Sequence, residues 1–219
     1  MMRKGTTIAL VMLALLAGMS SWATVLLQMN TEALTGNADM ILTGQVAGFA
    51  PKPVFENGMI FSDIMIFVTD FVKVSPDRQN VSYVTVRQLG GTYNGRTTVV
   101  PGSPTFQAGE RVMVFLRQRQ ASKYYEVVGM AQGKFEIRTD PVSGRDIIVQ
   151  DAQQQKADAY QAKTQRQGFN AKLLSRKTKS DSSTQAERNA PEIRFLDTFI
   201  REVKTYENPD SPDKMLIKK

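Results

Sequence analysis

The chain has 219 residues, 42% of them hydrophobic, with 28 basic and 21 acidic side chains and a formal net charge of +7. This length predicts one domain with extensions and is sufficient to bury a packed core. The chain contains no histidine and no cysteine, which excludes disulfides, nucleophilic catalysis with a histidine base, and the usual nitrogen- or sulfur-ligated zinc and haem sites.

The N-terminus has the layout of a secretory signal peptide. A basic start, Met1–Gly5, precedes the apolar run Thr6–Met19, and Ser21 and Ala23 place small residues three and one positions before a cleavage point. We therefore predict a signal peptide over residues 1–23 and a mature protein in the periplasm or outside the cell. An uncleaved membrane anchor is the alternative, but the run is about 14 residues, whereas a membrane span needs roughly 20.

The predicted elements after the signal are mostly short strands. A short helix over Thr31–Thr35, capped by Asn30 or Thr31, comes first. A loop is expected between Pro51–Pro53 and Asn57–Gly58. Alternation of apolar and polar residues, with a hairpin signal at Asn94–Gly95, then predicts strands in these segments: Ala38–Gly48, Met59–Val74, Val81–Leu89, Arg111–Arg117, Tyr124–Met130, Gly133–Arg138 and Arg145–Gln150. This pattern favours a closed or nearly closed antiparallel barrel, or a sandwich, over residues 24–150.

The most sharply patterned segment is Gly102–Arg117, "GSPTFQAGERVMVFLR". We expect Phe106 to enter the core as the chain turns, Gly109 to adopt a positive φ, and Glu110 to accept backbone N–H groups at the corner. The strand that follows should be the most buried one. Gly133 and Phe135 are expected at another barrel corner. A role of these motifs in a binding surface is the alternative.

The C-terminal third divides into three segments. Residues 151–189 form a polar linker, predicted to be mobile or partly helical, and residues 152–188 of it carry 8 basic and 3 acidic side chains. Residues 190–206 are predicted to form an amphipathic helix that docks on the barrel, because Pro191 precedes apolar residues at helical spacing. Residues 207–219 form a tail.

Three segments together resemble a family of secreted bacterial proteins of uncharacterised function. They are "ADMILTGQV" at 38–46, "SPTFQAGERVMVFL" at 103–116 and "YEVVGMAQGKFEI" at 125–137. Some members of the family occur near or fused to matrixin-type zinc proteases, and their strand layout is similar to the OB-like barrel of netrin modules and of tissue inhibitors of metalloproteinases. The resemblance implies an OB-like, closed or partly open β-barrel with the C-terminal helix docked on it. Inhibitors of that kind chelate the protease zinc through an N-terminal cysteine, which this chain lacks, so that mechanism is not implied.

The leading functional prediction is an exported, non-enzymatic binding or accessory module without a cofactor. Its expected partner is an extracytoplasmic protein, a protease being one candidate, and the candidate contact residues are Tyr93 and Arg96 on a hairpin tip and Tyr124 and Lys134 near a barrel rim. The alternative is a structural envelope protein held on anionic surfaces by its basic linker. An enzyme of unusual composition is the third possibility, and nucleic-acid binding is not expected of an exported protein.

Overall fold

Short strands dominate the computed structural model, which describes residues 28–50, 52–119, 122–152 and 192–207. Helix α1 spans Thr31–Asn37 and helix α2 spans Leu196–Glu207. The strands, in chain order, are β1 Met40–Phe49, β2 Val54–Glu56, β3 Met59–Lys73, β4 Tyr83–Leu89, β5 Gly91–Tyr93, β6 Arg96–Thr98, β7 Arg111–Gln118, β8 Tyr125–Val127, β9 Lys134–Thr139, β10 Asp146–Gln150 and β11 Ile193–Phe195.

Five of these strands close into a barrel in the order β1–β3–β4–β8–β7, with β7 pairing back to β1. Of the four other strand pairs around the ring, three are antiparallel, and the pair β4–β8 is parallel. Closure gives each of the five strands two neighbours over part of its length, which is how small barrels reduce their exposed sheet edges. The predicted class is confirmed: the protein is mainly β, with an OB-like barrel and a C-terminal helix packed on it.

Strand β7 is buried on both of its faces, which explains its run of five apolar residues. Val112, Val114 and Leu116 pack with Leu42, Ile64 and other residues inside the barrel. Met113 and Phe115 face the opposite way, into a second core with Phe135 and Phe199. All five apolar residues of β7 have no exposed surface, so the prediction of a most-buried strand at this position is confirmed.

The second core lies between β7 and an outer layer made of β9, β10, β11 and helix α2. Strand β9 pairs with β7, β10 with β9, and β11 with β10. Helix α2 closes this layer through Phe199 and Val203, which are almost fully buried, with Leu196 and Ile200 packed beside them. The predicted docking of the C-terminal helix is therefore present.

Two elements differ from the sequence prediction. The helix expected over 190–206 begins only at Leu196, because Ile193–Phe195 instead pairs with β10 and satisfies the backbone groups along its edge. The loop expected after Pro53 contains β2, which forms a hairpin with β3 around Asn57–Gly58. In both places pairing with a neighbouring strand outweighs the local turn or helix signals.

The remaining boundaries agree within a few residues. Helix α1 starts where predicted, with the Asn30 side chain accepting a hydrogen bond from Ala33 N at 2.8 Å. The predicted signal peptide, linker residues 153–189 and tail residues 208–219 lie outside the described residues. Within the described ranges, no helix is both long and apolar enough to cross a membrane.

Candidate binding surface

The hairpin tip holds two of the four predicted contact residues. Tyr93 and Arg96 lie opposite each other across the Asn94–Gly95 turn between β5 and β6. The Tyr93 ring stacks on Phe55 of β2, with centroids 5.5 Å apart and an interplanar angle of 13°. Phe55 is half exposed, so this stack presents an aromatic surface at one side of the β2–β3 hairpin.

Tyr124 lies elsewhere, in a cleft of about 580 Å³ that is lined by charges of both signs and that we call the Tyr124 cleft. Its walls come from the start of β3, the middle of β4 and the segment before β8, and its principal residues are Met59, Phe61, Arg87, Arg119, Lys123 and Tyr124. The Arg87 guanidinium carbon lies 3.6 Å from the centroid of the Tyr124 ring, and Lys123 Nζ lies 5.2 Å from it. Two cations therefore contact one aromatic ring, an arrangement that is stabilising when partly removed from water.

Arg87 is fixed in this position by Asp63. The two side chains face each other across β3 and β4, and the guanidinium donates two hydrogen bonds to the carboxylate, from Nε at 2.7 Å and from Nη2 at 2.8 Å. Both side chains are mostly buried, with 16% and 10% of their surface exposed. The hydrogen bonds from Arg87 to Asp63 raise the pKa of the guanidinium further above its usual value. This bidentate geometry holds the arginine plane under Tyr124.

The Tyr124 cleft and the Phe55–Tyr93 stack lie on opposite faces of the β2–β3 hairpin. Phe55 is paired with Ile60, whereas Glu56 is paired with Met59, and successive side chains of a strand point to opposite faces. Glu56 accepts a long hydrogen bond of 3.4 Å from Arg87 and so belongs to the cleft. The structure thus brings Tyr93 and Arg96 together but does not bring them to Tyr124.

The fourth predicted contact residue, Lys134, is not at an exposed rim, and that expectation is wrong. Lys134 is 2% exposed, and its ammonium lies 2.5 Å from Glu110 Oε1 and 3.6 Å from Asp151 Oδ1. It is the first residue of β9, and its side chain turns inward because two carboxylates and the Phe106 ring receive it there. Lys134 is therefore a structural residue.

The motif residues have the structural positions expected of them. Gly109 has a φ of 83°, and Glu110 accepts a hydrogen bond from Gln107 N at 3.0 Å. Phe106 packs against the barrel core, and Phe135 is buried in the second core. Gly133 ends a 3₁₀ turn, Met130–Gly133, so close to Val128 that a Cβ atom would lie 2.1 Å from its carbonyl oxygen.

Two residues of the candidate surface were missed by the sequence reasoning. Arg87 lies in the predicted strand Val81–Leu89, where an arginine at an outward position is indistinguishable from any solvated charge. Phe55 lies in the predicted loop. The Asn57–Gly58 dipeptide beside it is a hairpin signal, and reading it as such would have placed Phe55 on a strand next to β3.

The cleft contains charges of both signs. Arg87 is paired with Asp63, and Arg119 Nε lies 3.1 Å from Glu126 Oε1. Among the described residues, no group of three or more carboxylates is placed to hold a metal ion. The cleft exposes aromatic and guanidinium groups, side chains of the kinds that are enriched in protein interfaces.

No protein-family model matches the chain. No curated protein matches it either.

Proposed function

We propose that the protein is an exported, non-enzymatic binding module that holds an extracytoplasmic protein against the Tyr124 cleft. The observation that carries the proposal is the Arg87 guanidinium, fixed by two hydrogen bonds from its own side chain to Asp63 and stacked on Tyr124. Arginine and tyrosine are enriched among the residues that contribute most to protein interfaces. Side chains that are already fixed lose little further entropy when a partner binds.

Export and partner class rest on the sequence. The predicted signal peptide directs the chain out of the cytoplasm. The resemblance to secreted proteins found near matrixin-type proteases makes an extracytoplasmic protease one candidate partner. Without the N-terminal cysteine of zinc-chelating inhibitors, contact with such a partner would be made through surface side chains of the barrel.

The test is a crosslinking pull-down of the mature protein, Thr24–Lys219, from its own envelope fraction, read by mass spectrometry. The expected result is a saturable partner that survives moderate salt and is lost with Tyr124→Ala. Tyr83→Ala is the matched control. Tyr83 lies on β4, the strand that carries Arg87, and is 60% exposed, but it lies outside the cleft.

Two results would contradict the proposal. Equal recovery of the partner by Tyr124→Ala and Tyr83→Ala would place the contact elsewhere. A mixture of polyanionic or membrane material that washes off with salt, and that disappears when residues 152–188 are deleted, would instead favour an envelope-adhering structural protein.

A further inference from the structure

Two adjoining cavities open at the C-terminal end of β4, beside the Tyr124 cleft. Their volumes are about 260 Å³ and 360 Å³. Both are lined by Gln88, Leu89, Val100, Ser103 and Pro104, and the first also reaches Val127 of β8. We call the two together the β4–β8 groove.

The groove exists because β4 and β8 separate after a very short contact. Among the described residues, their parallel pairing consists of one bridge, Val86 opposite Tyr125. Beyond it, β8 continues to pair with β7 through Glu126 and Val127. The barrel wall is therefore open between β4 and β8 at this end.

The open side of β4 is a strand edge. Gly90 N donates to Ile60 O at 2.8 Å, and hydrogen-bonded pairs alternate along an antiparallel ladder. The even-numbered residues of β4 therefore bond to β3, and the odd-numbered residues direct their backbone groups to the other side. The parallel bridge between Val86 and Tyr125 uses the Arg87 N–H, so the Arg87 C=O and the Leu89 N–H and C=O groups are directed toward the groove. Such an edge is a template for an added strand.

Gln88 supplies a second, independent indication of a ligand. Its side-chain Oε1 is buried and has no hydrogen-bond partner among the described residues. Buried acceptors in folded proteins are normally satisfied, because an unsatisfied one retains the full cost of its lost hydration. An N–H donor entering the groove would supply the missing partner.

The walls of the groove are apolar and its charges are paired. Phe49, Met59, Leu89 and Val99 contribute to its lining and are among the large hydrophobic residues that remain at least a third exposed. The charges at its mouth, Arg119 and Glu126, form an ion pair with each other. An occupant that complements these walls is apolar and uncharged.

We propose that the β4–β8 groove binds an extended, uncharged and predominantly apolar peptide segment of a protein partner, added as a strand along the edge of β4. The segment's backbone pairs with the Arg87 C=O and the Leu89 N–H, a further amide N–H reaches Gln88 Oε1, and apolar side chains fill the two cavities. The inference rests on the proposed function in one respect, that the occupant belongs to a protein. The groove shares four lining residues with the Tyr124 cleft, namely Met59, Phe61, Arg119 and Glu126, so one partner can cover both.

The test uses the mature protein and a short fluorescein-labelled peptide of alternating valine and threonine with blocked ends. Fluorescence anisotropy is expected to show saturable binding with a dissociation constant below about 1 mM. The same peptide with N-methylated valines cannot donate backbone hydrogen bonds from those residues and is expected not to bind. A peptide of alternating valine and glutamate is expected to bind at least about tenfold more weakly.

Two variants locate the site. Gln88→Leu removes the acceptor at similar volume and is expected to weaken peptide binding about tenfold, while its melting temperature stays at or above that of the parent. Val100→Trp fills the groove and is expected to abolish binding. Val142→Trp is its matched control, because Val142 is 93% exposed at the β9–β10 turn.

The proposal is overturned if the parent shows no saturable binding, if the N-methylated peptide binds equally well, or if Gln88→Leu lowers the melting temperature without changing affinity. Its failure is distinguishable from failure of the proposed function. If recovery of the pull-down partner depends on Tyr124 but not on Val100, the proposed function of the Tyr124 cleft stands and the peptide-binding proposal for the groove is wrong. If peptide binding depends on Val100 but the envelope fraction yields no saturable partner, the peptide-binding proposal stands and the proposed function is wrong.

Discussion

Lys134 Nζ lies 2.5 Å from Glu110 Oε1, and the two side chains are only 2% and 9% exposed. Asp151 completes the cluster, accepting hydrogen bonds from Thr105 N at 2.9 Å and Thr105 Oγ1 at 3.0 Å. These charges join three segments that are distant in sequence: the turn before β7, the start of β9 and the end of β10. The patterned motif at 102–117 therefore serves to close the structure around a buried cation.

Lys134→Met is expected to destabilise the protein by about 3–5 kcal/mol, because removing one member of a buried ion pair leaves the others uncompensated. The measurement is the free energy of unfolding from urea denaturation. Arg138→Met is the matched control: its ion pair with Glu136 is 48% and 32% exposed, and such surface pairs contribute at most about 1 kcal/mol. Similar losses in the two variants would show that the Lys134 cluster has no special role.

Gly133→Ala is expected to destabilise the protein by at least about 1–3 kcal/mol, since the new Cβ would overlap a backbone oxygen that cannot move aside. The oxygen is that of Val128, 2.1 Å from the position that the Cβ would occupy. Gly36→Ala is the control, because nothing lies within 4 Å of its Cβ position at the end of α1. That variant should be neutral or slightly stabilising. Thermal unfolding followed by circular dichroism distinguishes the two.

Much of the barrel is predictable from the sequence because its strands carry a local signal. The alternation in Met59–Lys73 and the Asn94–Gly95 turn predict elements that the structure contains. The two faces of β7 are also separated correctly by parity, Val112 from Met113. Strands β2 and β11 are three residues each, too short for a periodic pattern, and their existence depends on the edge strand beside them.

The candidate site is less predictable, because it depends on contacts between strands. Tyr124 is recognisable in the sequence as an aromatic rim residue, but its partner Arg87 is brought beside it by the parallel contact between β4 and β8. Lys134 shows the opposite error. A lysine that begins a strand is usually solvated, and only the placement of Glu110 and Asp151 around it, distant in sequence, allows its burial.

The ion pair between Arg111 and Asp146 predicts a dependence of stability on pH. Arg111 Nη1 and Nη2 donate to the two carboxylate oxygens of Asp146, and these hydrogen bonds lower the pKa of that carboxyl. A pKa lowered in the folded state contributes stability that is present above the unfolded-state pKa of about 3.9 and is lost as the pH falls through the folded-state value. The free energy of unfolding should therefore fall below about pH 4.

Asp146→Asn removes this titrating group and is expected to reduce that acid slope while lowering stability at neutral pH. Urea denaturation at a series of pH values measures both effects. Parallel stability curves for the parent and the variant below about pH 4 would show that Asp146 contributes nothing to the slope.

Phe199→Ala tests whether helix α2 is an integral part of the fold. Phe199 is 1% exposed, and its ring centroid lies 4.9 Å from that of Phe135 and 6.3 Å from that of Phe115. Truncating a buried phenylalanine of this kind costs about 3–5 kcal/mol, the lost transfer free energy plus the cavity left behind. Phe67→Ala is the control, since Phe67 is 45% exposed and should lose much less. A small loss at Phe199, equal to that at Phe67, would mean that α2 contributes little to the stability of the second core.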